Sequence, residues 1–170
     1  MKEKIITKKI LKWYDLNKRS LPWRKKVSLE RKQYYTLVSE FMLQQTQVTT
    51  VIPFFNRFIK DLPSINSLAK VNEKKLIKLW EGLGYYSRAR NLHKACEIIH
   101  HKYNGIIPST YDDLIELPGI GPYTTAAIAS LAFNKDLAVV DGNVIRVLSR
   151  LLAIDSDVSK SSTKKELQTI

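Results

Sequence analysis

The sequence predicts an all-α protein, and three observations lead to that fold class. Apolar residues recur mostly at intervals of three and four, and the runs between turn signals are long for strands. The third observation is that residues 137–140 are the only plausible strand and have no evident partner. With 170 residues the chain can bury a sizeable core, so we expect a succession of about eight to ten helices.

The first predicted helices lie before residue 61. One apolar stripe predicts the first of them and consists of Ile6, Ile10, Trp13 and Tyr14. Residues 20–31 hold a proline, a tryptophan and clustered charges without a period, so we expect a loop there that leads into a helix over residues 33–43. Pro53 then kinks or starts the next helix, which runs toward residue 60.

Caps and glycines mark the helices of the middle of the chain. Asn72 is a suitable N-cap for a helix that Gly82 and Gly84 stop. The clearest helix follows and ends at an Asn-Gly pair; its stripe is Ala89, Leu92, Cys96, Ile99 and Tyr103.

Three further helices are predicted toward the end of the chain, one of them over about residues 123–133 and rich in small side chains. A Ser-Thr pair at 109–110 resembles a capping-box start for a short helix that ends at residue 117. Asp141 opens a helix whose predicted buried stripe is Val144, Val147, Leu148 and Leu151.

The excess of positive charge indicates which class of molecule the protein binds. Lys and Arg total 28 against 16 Asp and Glu, and residues 1–32 alone hold twelve basic against three acidic side chains. Such a field suits a polyanion, most often nucleic acid. The longest apolar stretch, residues 126–133, is too short to span a bilayer, and the N-terminus lacks the features of a secretory signal. We therefore expect no membrane partner and a cytoplasmic location, associated with the nucleoid if the source is bacterial.

Few side chains are candidates for binding a metal. The sequence has one cysteine and three histidines, which is no thiolate-rich set for zinc or an iron–sulfur cluster. Cys96 lies in an apolar stripe, which favours a buried core thiol. His93, His100 and His101 have no convincing ligand partners and are interpreted as solvated helix positions. We expect no metal in this chain.

A tight connection joins two predicted helices at LPGIGP, residues 117–122. Gly119 and Gly121 permit positive φ and bring backbone N–H groups to the surface beside a helix N-terminus, which can hold a phosphate. Asp141 begins the next helix, where the dipole favours an ionised carboxylate that can face a developing cation. From the residues alone, an ordinary helix-turn-helix corner and a plain N-cap remain open alternatives.

Four blocks, in this order, resemble the helix-hairpin-helix DNA glycosylase superfamily and its adenine-specific branch, the A/G mismatch or MutY-type glycosylases. They are SEFMLQQTQ (39–47, followed by VIP at 51–53), WEGLGYYSRARNLH (80–93), GIG (119–121) and VDGNV (140–144); LPWR (21–24) matches too. The resemblance implies a helical core lobe over 31–140 with the hairpin at 117–123. Residues 1–30 and 141–170 would form part of a second, incomplete lobe.

The same resemblance implies an activity and its residues. The family hydrolyses the N-glycosidic bond of adenine opposite 8-oxoguanine or guanine in base excision repair. Glu40 would protonate adenine N7, and its apolar helix would raise its pKa. Asp141 would stabilise the oxocarbenium-like sugar or attack it transiently, and Asn143 would orient water or that carboxylate. Tyr123 stands where strand-cutting members carry a Schiff-base lysine, so a monofunctional enzyme is expected, with the phenol hydrogen-bonded near Asp141.

DNA contacts also follow from the resemblance, for a partner that is double-stranded DNA with A:8-oxoguanine or A:G mispairs, bound by a monomer. The residues expected to wedge into the duplex or contact the opposite base are Gln45, Thr46, Leu83 and Tyr85, and Arg88 is expected to contact DNA. Gly119 and Gly121 would grip the backbone. The wall of the adenine pocket would include Leu21, Trp23 and Arg24. Core packing is the alternative for Leu83 and Tyr85.

The sequence departs from the family pattern in two respects. Full-length relatives are expected to continue through a four-cysteine [4Fe-4S] site and a domain that reads 8-oxoguanine, whereas this sequence ends at Ile170 and resembles a fragment. The basic loop over 24–32 is longer than usual. Two other functions stay open: a thymine-mismatch glycosylase of the same superfamily, which can also carry tyrosine at position 123, and a non-catalytic DNA-binding module.

Overall fold

The chain folds into helices joined by short loops, as seen in a computed structural model that describes residues 2–169. The predicted all-α class is confirmed, because those residues form α-helices and one 3-10 helix, Pro22–Arg24, and no strand. The two end residues of the predicted outer regions, Met1 and Ile170, lie outside the described part. The α-helices are α1 (Lys2–Asn17), α2 (Leu29–Leu43), α3 (Val48–Asp61), α4 (Ile65–Ala69), α5 (Glu73–Trp80), α6 (Ser87–Lys102), α7 (Tyr111–Ile115), α8 (Pro122–Phe133), α9 (Gly142–Leu151) and α10 (Ser161–Thr169).

The centre of the core is α2, which contacts α3, α6, α8 and the 3-10 helix. Its side chains Leu37 and Phe41 are fully buried, as are Phe58 of α3 and Trp80 of α5, whose rings meet edge to face at 5.8 Å. On α6, Cys96 is fully buried as predicted, and burial raises the pKa of its thiol well above the usual value.

An aromatic contact docks the 3-10 helix onto the core. The Trp23 ring meets the Phe55 ring of α3 at 5.2 Å in an edge-to-face arrangement, and both side chains are buried. Because the contact holds the LPWR segment against α3, the residues around Trp23 face the last turn of α2.

Local signals locate several helix starts correctly. The Asn72 side chain accepts a hydrogen bond from the Lys75 amide, and Thr110 accepts one from the Asp113 amide, so both predicted N-caps are confirmed. Other boundaries were predicted wrongly. The start of α2 is Leu29 rather than residue 33, because the Ser28 side chain caps it through the Arg31 amide.

Two more local predictions need correction. Pro53 does not start a helix, because it lies inside α3, which begins at Val48; the alternative, that Pro53 kinks the helix, stays a prediction. Residues 137–140 lead without a strand into α9, because no neighbouring segment in the described chain pairs with them.

The apolar stripe of α9 was predicted to be buried, and the structure leaves part of it exposed, as it does the stripe of α1. On α1, Ile10 and Trp13 are 59% and 62% exposed. On α9, Val147 and Leu151 are each 54% exposed. The spacing correctly predicts amphipathic helices, and α10 contacts α9, but these four side chains stay exposed in the described part of the chain. None of the described helices meets the length and hydrophobicity that crossing a membrane requires.

Candidate active site

Glu40 lies in the last turn of α2, between two cavities. One has a volume of about 480 Å³ and the other about 920 Å³. Both are lined by Arg24, Glu40, Leu43 and Leu131. A group at the position of Glu40 can therefore interact with ligands in either cavity.

The smaller cavity combines an apolar wall with a basic rim. Leu21 and Trp23 form part of its wall and are themselves only 5% and 7% exposed. Glu40 is the one carboxylate among its described lining residues. The cations that line it are Arg19, Arg24, Lys25, Lys26 and Lys32. The structure thus places the three predicted pocket residues, Leu21, Trp23 and Arg24, around Glu40.

The half-buried Glu40 carboxyl has an unusual affinity for its proton. Burial raises its pKa from the ordinary value of 4.5 to about 7, and the Arg24 charge opposes part of this rise. The rise that the apolar helix predicted is confirmed. A carboxyl with a pKa near neutrality can donate a proton at physiological pH.

Asp141 lies at the rim of the larger cavity, where α9 begins. Its Oδ1 accepts a hydrogen bond from the Val144 backbone amide at 2.8 Å, and its Oδ2 accepts one from the Asn143 side-chain Nδ2 at 3.2 Å. Asn143 Oδ1 in turn accepts a bond from Arg146 at 3.3 Å. The capping hydrogen bond from Val144 and the hydrogen bonds that link Asp141, Asn143 and Arg146 hold the carboxylate in one orientation.

Tyr123 lines the same cavity from the first turn of α8, with 46% of the residue exposed. Partial burial raises the pKa of the phenol, and the nearby carboxyls of Glu40 and Asp141 raise it further. The structure therefore brings Glu40, Tyr123 and Asp141, which are far apart in sequence, around one cavity.

The hairpin between α7 and α8 packs closely against the core at Gly119. This residue has φ +78°, and a Cβ built on it would lie 2.8 Å from both the Asn91 Cβ and the Phe41 Cε1. Its carbonyl accepts a hydrogen bond from the Gln44 side chain at 3.1 Å. Gly121 has φ −94°, caps α8 and faces open space. Only the first glycine is therefore required by the packing.

We predict that Gly119→Ala lowers the free energy of unfolding by about 2–4 kcal/mol, because the new methyl group clashes in a backbone conformation that alanine disfavours. Gly121→Ala, which is two residues away and meets no atom, should lower it by less than about 1 kcal/mol. Urea unfolding of the two variants and the parent measures both values. Equal losses would contradict the close packing at Gly119.

The predicted DNA-contact residues separate into exposed and buried ones. Gln45 and Tyr85 are exposed and line the larger cavity, with φ of 57° and 49°. Thr46 is half-buried, and its hydroxyl donates to the Gln44 carbonyl at 3.4 Å. Leu83 is 5% exposed and belongs to the core cluster, so its side chain packs as the alternative expects, and its contact with DNA stays a prediction.

Arg88 also departs from its predicted role. The residue is 7% exposed, and its guanidinium donates to backbone carbonyls inside the protein. The structure therefore gives Arg88 a structural role at the edge of the larger cavity, which it also lines, in place of the exposed charge that was predicted.

Sequence reasoning missed several residues that line the cavities. Leu43 and Leu131 line both cavities together with Glu40, and Val48 and Ser39 are among the further residues that line the smaller one. Leu43 falls within the block of residues 39–47 that carries the resemblance, so its position beside Glu40 could have marked it. Leu131 comes from another helix, and only the packing of α2 against α8 shows its place.

The described residues do not fit a metal centre. No group of three His, Cys, Asp or Glu side chains among them is arranged to hold a metal ion. An iron–sulfur cluster of the kind expected in longer family members needs four thiolates, whereas Cys96 is the one cysteine of the sequence and lies in the core.

The chain is similar to known DNA repair proteins over most of its length. Residues 38–170 match the model of the HhH-GPD superfamily base excision DNA repair proteins. The adenine DNA glycosylases of Rattus norvegicus and of Buchnera aphidicola subsp. Baizongia pistaciae are each 46% identical over 163 and 147 residues, covering 93% and 86% of this chain. The chain spans 32% and 41% of the length of those two relatives.

Solved structures share the fold. A thermostable thymine-DNA glycosylase superimposes with a TM-score of 0.85 at 26% identity, covering 98% of this chain and 76% of that one. A trapped endonuclease III–DNA covalent intermediate superimposes with a TM-score of 0.78 at 24% identity, covering 99% and 76%, and shows the fold alone.

Proposed function

The chain belongs to the HhH-GPD superfamily of base excision DNA repair proteins, and from this premise we propose that it hydrolyses the N-glycosidic bond of adenine mispaired with 8-oxoguanine or guanine in double-stranded DNA. One observation carries the proposal. Glu40, whose pKa is raised to about 7, lines the same cavity as Asp141, whose carboxylate is held at a helix N-terminus. A proton donor beside a fixed anion suits the departure of a base from a sugar.

Glu40 is proposed to act as the general acid. Adenine leaves poorly until a ring nitrogen is protonated, so the Glu40 proton would pass to N7 of an adenine extruded from the duplex. The apolar wall formed by Leu21 and Trp23 supports placing the base in the smaller cavity. Arg24 lies at the junction of the two cavities, where it also contributes to the wall.

Asp141 is proposed to stabilise the sugar. As the bond between C1′ and N9 breaks, its electron pair leaves with the base and positive charge develops on the sugar. The Asp141 carboxylate would face that charge or attack C1′ transiently, while water supplies the hydroxyl that completes hydrolysis. The hydrogen bond from Asn143 supports a role for this residue in orienting the carboxylate.

Tyr123 supports a glycosylase that does not cut the strand. A phenol cannot form an imine with C1′, so the expected product is an intact strand with an abasic site. Alkali should then cleave the product strand, and borohydride should trap no covalent adduct.

Contacts with DNA are proposed for the rim of the site. Gln45 and Tyr85 would fill the space left by the extruded base, and backbone N–H groups near Gly119 and Gly121 would bind phosphate. We further propose a monomer in the cytoplasm, associated with the nucleoid if bacterial. A division into a core lobe at 31–140 and second-lobe segments at 1–30 and 141–170 is supported by the exposed stripes of α1 and α9.

Single-turnover release of adenine from a duplex with A opposite 8-oxoguanine tests the proposal. Release, with an undamaged A:T duplex as the control, would support it. The structural likeness to a thymine-DNA glycosylase favours one second candidate, for which thymine would be released from a T:G duplex instead. Salt-dependent duplex binding without release of any base would identify a DNA-binding module.

We predict that adenine release slows as pH rises through the pKa of Glu40. The acid form is the active one, and its fraction falls once pH exceeds about 7. The single-turnover rate should therefore drop about tenfold per unit above about pH 8. Measuring the duplex affinity at each pH distinguishes the loss of the Glu40 proton from a weakening of DNA binding. A rate that rises through neutrality would contradict the general-acid role.

A further inference from the structure

Arg88 joins two loops through backbone hydrogen bonds. From the second position of α6, one terminal nitrogen donates to the carbonyls of Phe41 and Met42, at 3.3 and 2.8 Å, and to that of Gln44. The other donates to the carbonyls of Leu83 and Gly84, at 3.2 and 3.1 Å. The first set closes the end of α2, and the second belongs to the loop before α6.

These contacts use the geometry of a guanidinium. The last carbonyls of an α-helix have no partner within the helix, and Arg88 supplies donors to those of α2. Its planar fork reaches both loops at once, and its carbon Cζ lies 5.7 Å from the Trp80 ring centre and 5.4 Å from that of Tyr85. Among the described residues, no Asp or Glu forms an ion pair with it. The carbonyl oxygens therefore provide the compensation for its buried charge.

Each loop contains a residue in a strained backbone conformation beside an Arg88 contact. Gln45 follows Gln44 and has φ 57°, and Tyr85 follows Gly84 and has φ 49°. Residues with a Cβ persist in this region when their surroundings enforce it. Both side chains are exposed and line the larger cavity.

We propose that Arg88 is a positioning residue that holds Gln45 and Tyr85 as a pair facing the duplex and does not itself touch DNA. That Arg88 holds the two loops together follows from the contacts above, whereas the effect on DNA binding rests on the proposed function. One experiment without DNA and one with DNA therefore test these two statements separately.

Hydrogen exchange tests the coupling without DNA. In Arg88→Lys a single ammonium cannot reach both loops, so the amides of residues 43–46 and 83–86 should exchange at least about tenfold faster. The matched control is Arg90→Lys, since Arg90 is exposed and its Nε pairs with Glu73 at 2.7 Å. In this control, the exchange rates of the amides in both loops should stay within about twofold of those in the parent. Equal exchange in the two variants would overturn the proposal.

Duplex affinity tests whether Arg88 acts through the two side chains. Arg88→Lys should weaken binding about tenfold in the parent, and less than about twofold when Gln45 and Tyr85 are both alanine. Equal weakening in both backgrounds would overturn the positioning role. A parent that binds no duplex would refute the proposed function and leave the exchange result to decide the coupling.

A measurement on the parent covers the case in which Arg88→Lys does not fold. If one guanidinium holds both loops, their amides should open with the same dependence on low urea concentrations. Different dependences for residues 43–46 and 83–86 would show that the loops open independently, which would overturn the proposal.

Discussion

Replacement of Asp141 by asparagine is expected to reduce single-turnover adenine release at least about 100-fold, because the variant removes the negative charge that would face the developing sugar cation. Folding should be retained, since asparagine is as good an N-cap as aspartate and can still accept the bond from the Val144 amide. Duplex affinity should stay within about threefold of the parent, because the substitution removes no positive charge.

Asp136→Asn is the matched control for this variant. Asp136 is exposed on the same connection before α9 and lines neither cavity around Glu40. The control makes the same chemical change five residues earlier and should release adenine at nearly the parent rate. An Asp141→Asn variant that releases adenine as fast as this control would refute the role assigned to Asp141.

Glu40→Gln is the second variant with a large expected effect, and its activity and stability should change in opposite directions. Glutamine keeps the shape of the side chain but has no acidic proton, so adenine release should fall at least about 100-fold and lose its dependence on pH near neutrality. Glu30→Gln, on the exposed first turn of the same helix, is the control and should keep the parent rate and pH profile.

The sign of the stability change follows from proton binding. Because the pKa of Glu40 is raised from 4.5 to about 7, the native state binds this proton more tightly than the unfolded state does. The parent therefore loses unfolding free energy as pH rises between those two values, whereas the glutamine variant does not. Relative to the parent, the variant should gain about 2–3 kcal/mol between about pH 5 and about pH 8.

Urea unfolding at the two pH values measures that gain. The same measurement on Glu30→Gln accounts for the general effect of losing one carboxylate. A glutamine variant whose stability relative to the parent is the same at both pH values would show that Glu40 is not held in a poorly solvated site.

Sequence signals such as N-caps and apolar spacing predict where helices form better than they predict which helix faces are buried. Asn72 and Thr110 act through contacts within four residues, so their N-caps are visible in sequence. The faces of α1 and α9 are different, because spacing specifies an apolar side but not which element covers it. The same limit applies to residues 137–140, whose composition suits a strand while pairing depends on a distant segment.

The candidate site was predicted through the resemblance and not through spacing. Glu40, Tyr123 and Asp141 are separated by more than eighty and by eighteen residues, and packing of α2 against α8 brings the first two together. The structure departs from expectation where burial decides what a side chain contacts. Leu83 and Arg88 lie in the same block as Tyr85, but their side chains point into the protein, and no pattern within the block distinguishes inward from outward positions.

Burial of Cys96 gives the molecule an internal reporter of its own opening. A thiol reagent attacks the thiolate, and the core both excludes the reagent and suppresses that ionised form. Because the sequence contains no other cysteine, every labelled molecule marks an event in which α6 separated from its neighbours. The labelling rate of Cys96 therefore reports the fraction of molecules whose core is open to the reagent, in the parent and in each variant, without an introduced probe.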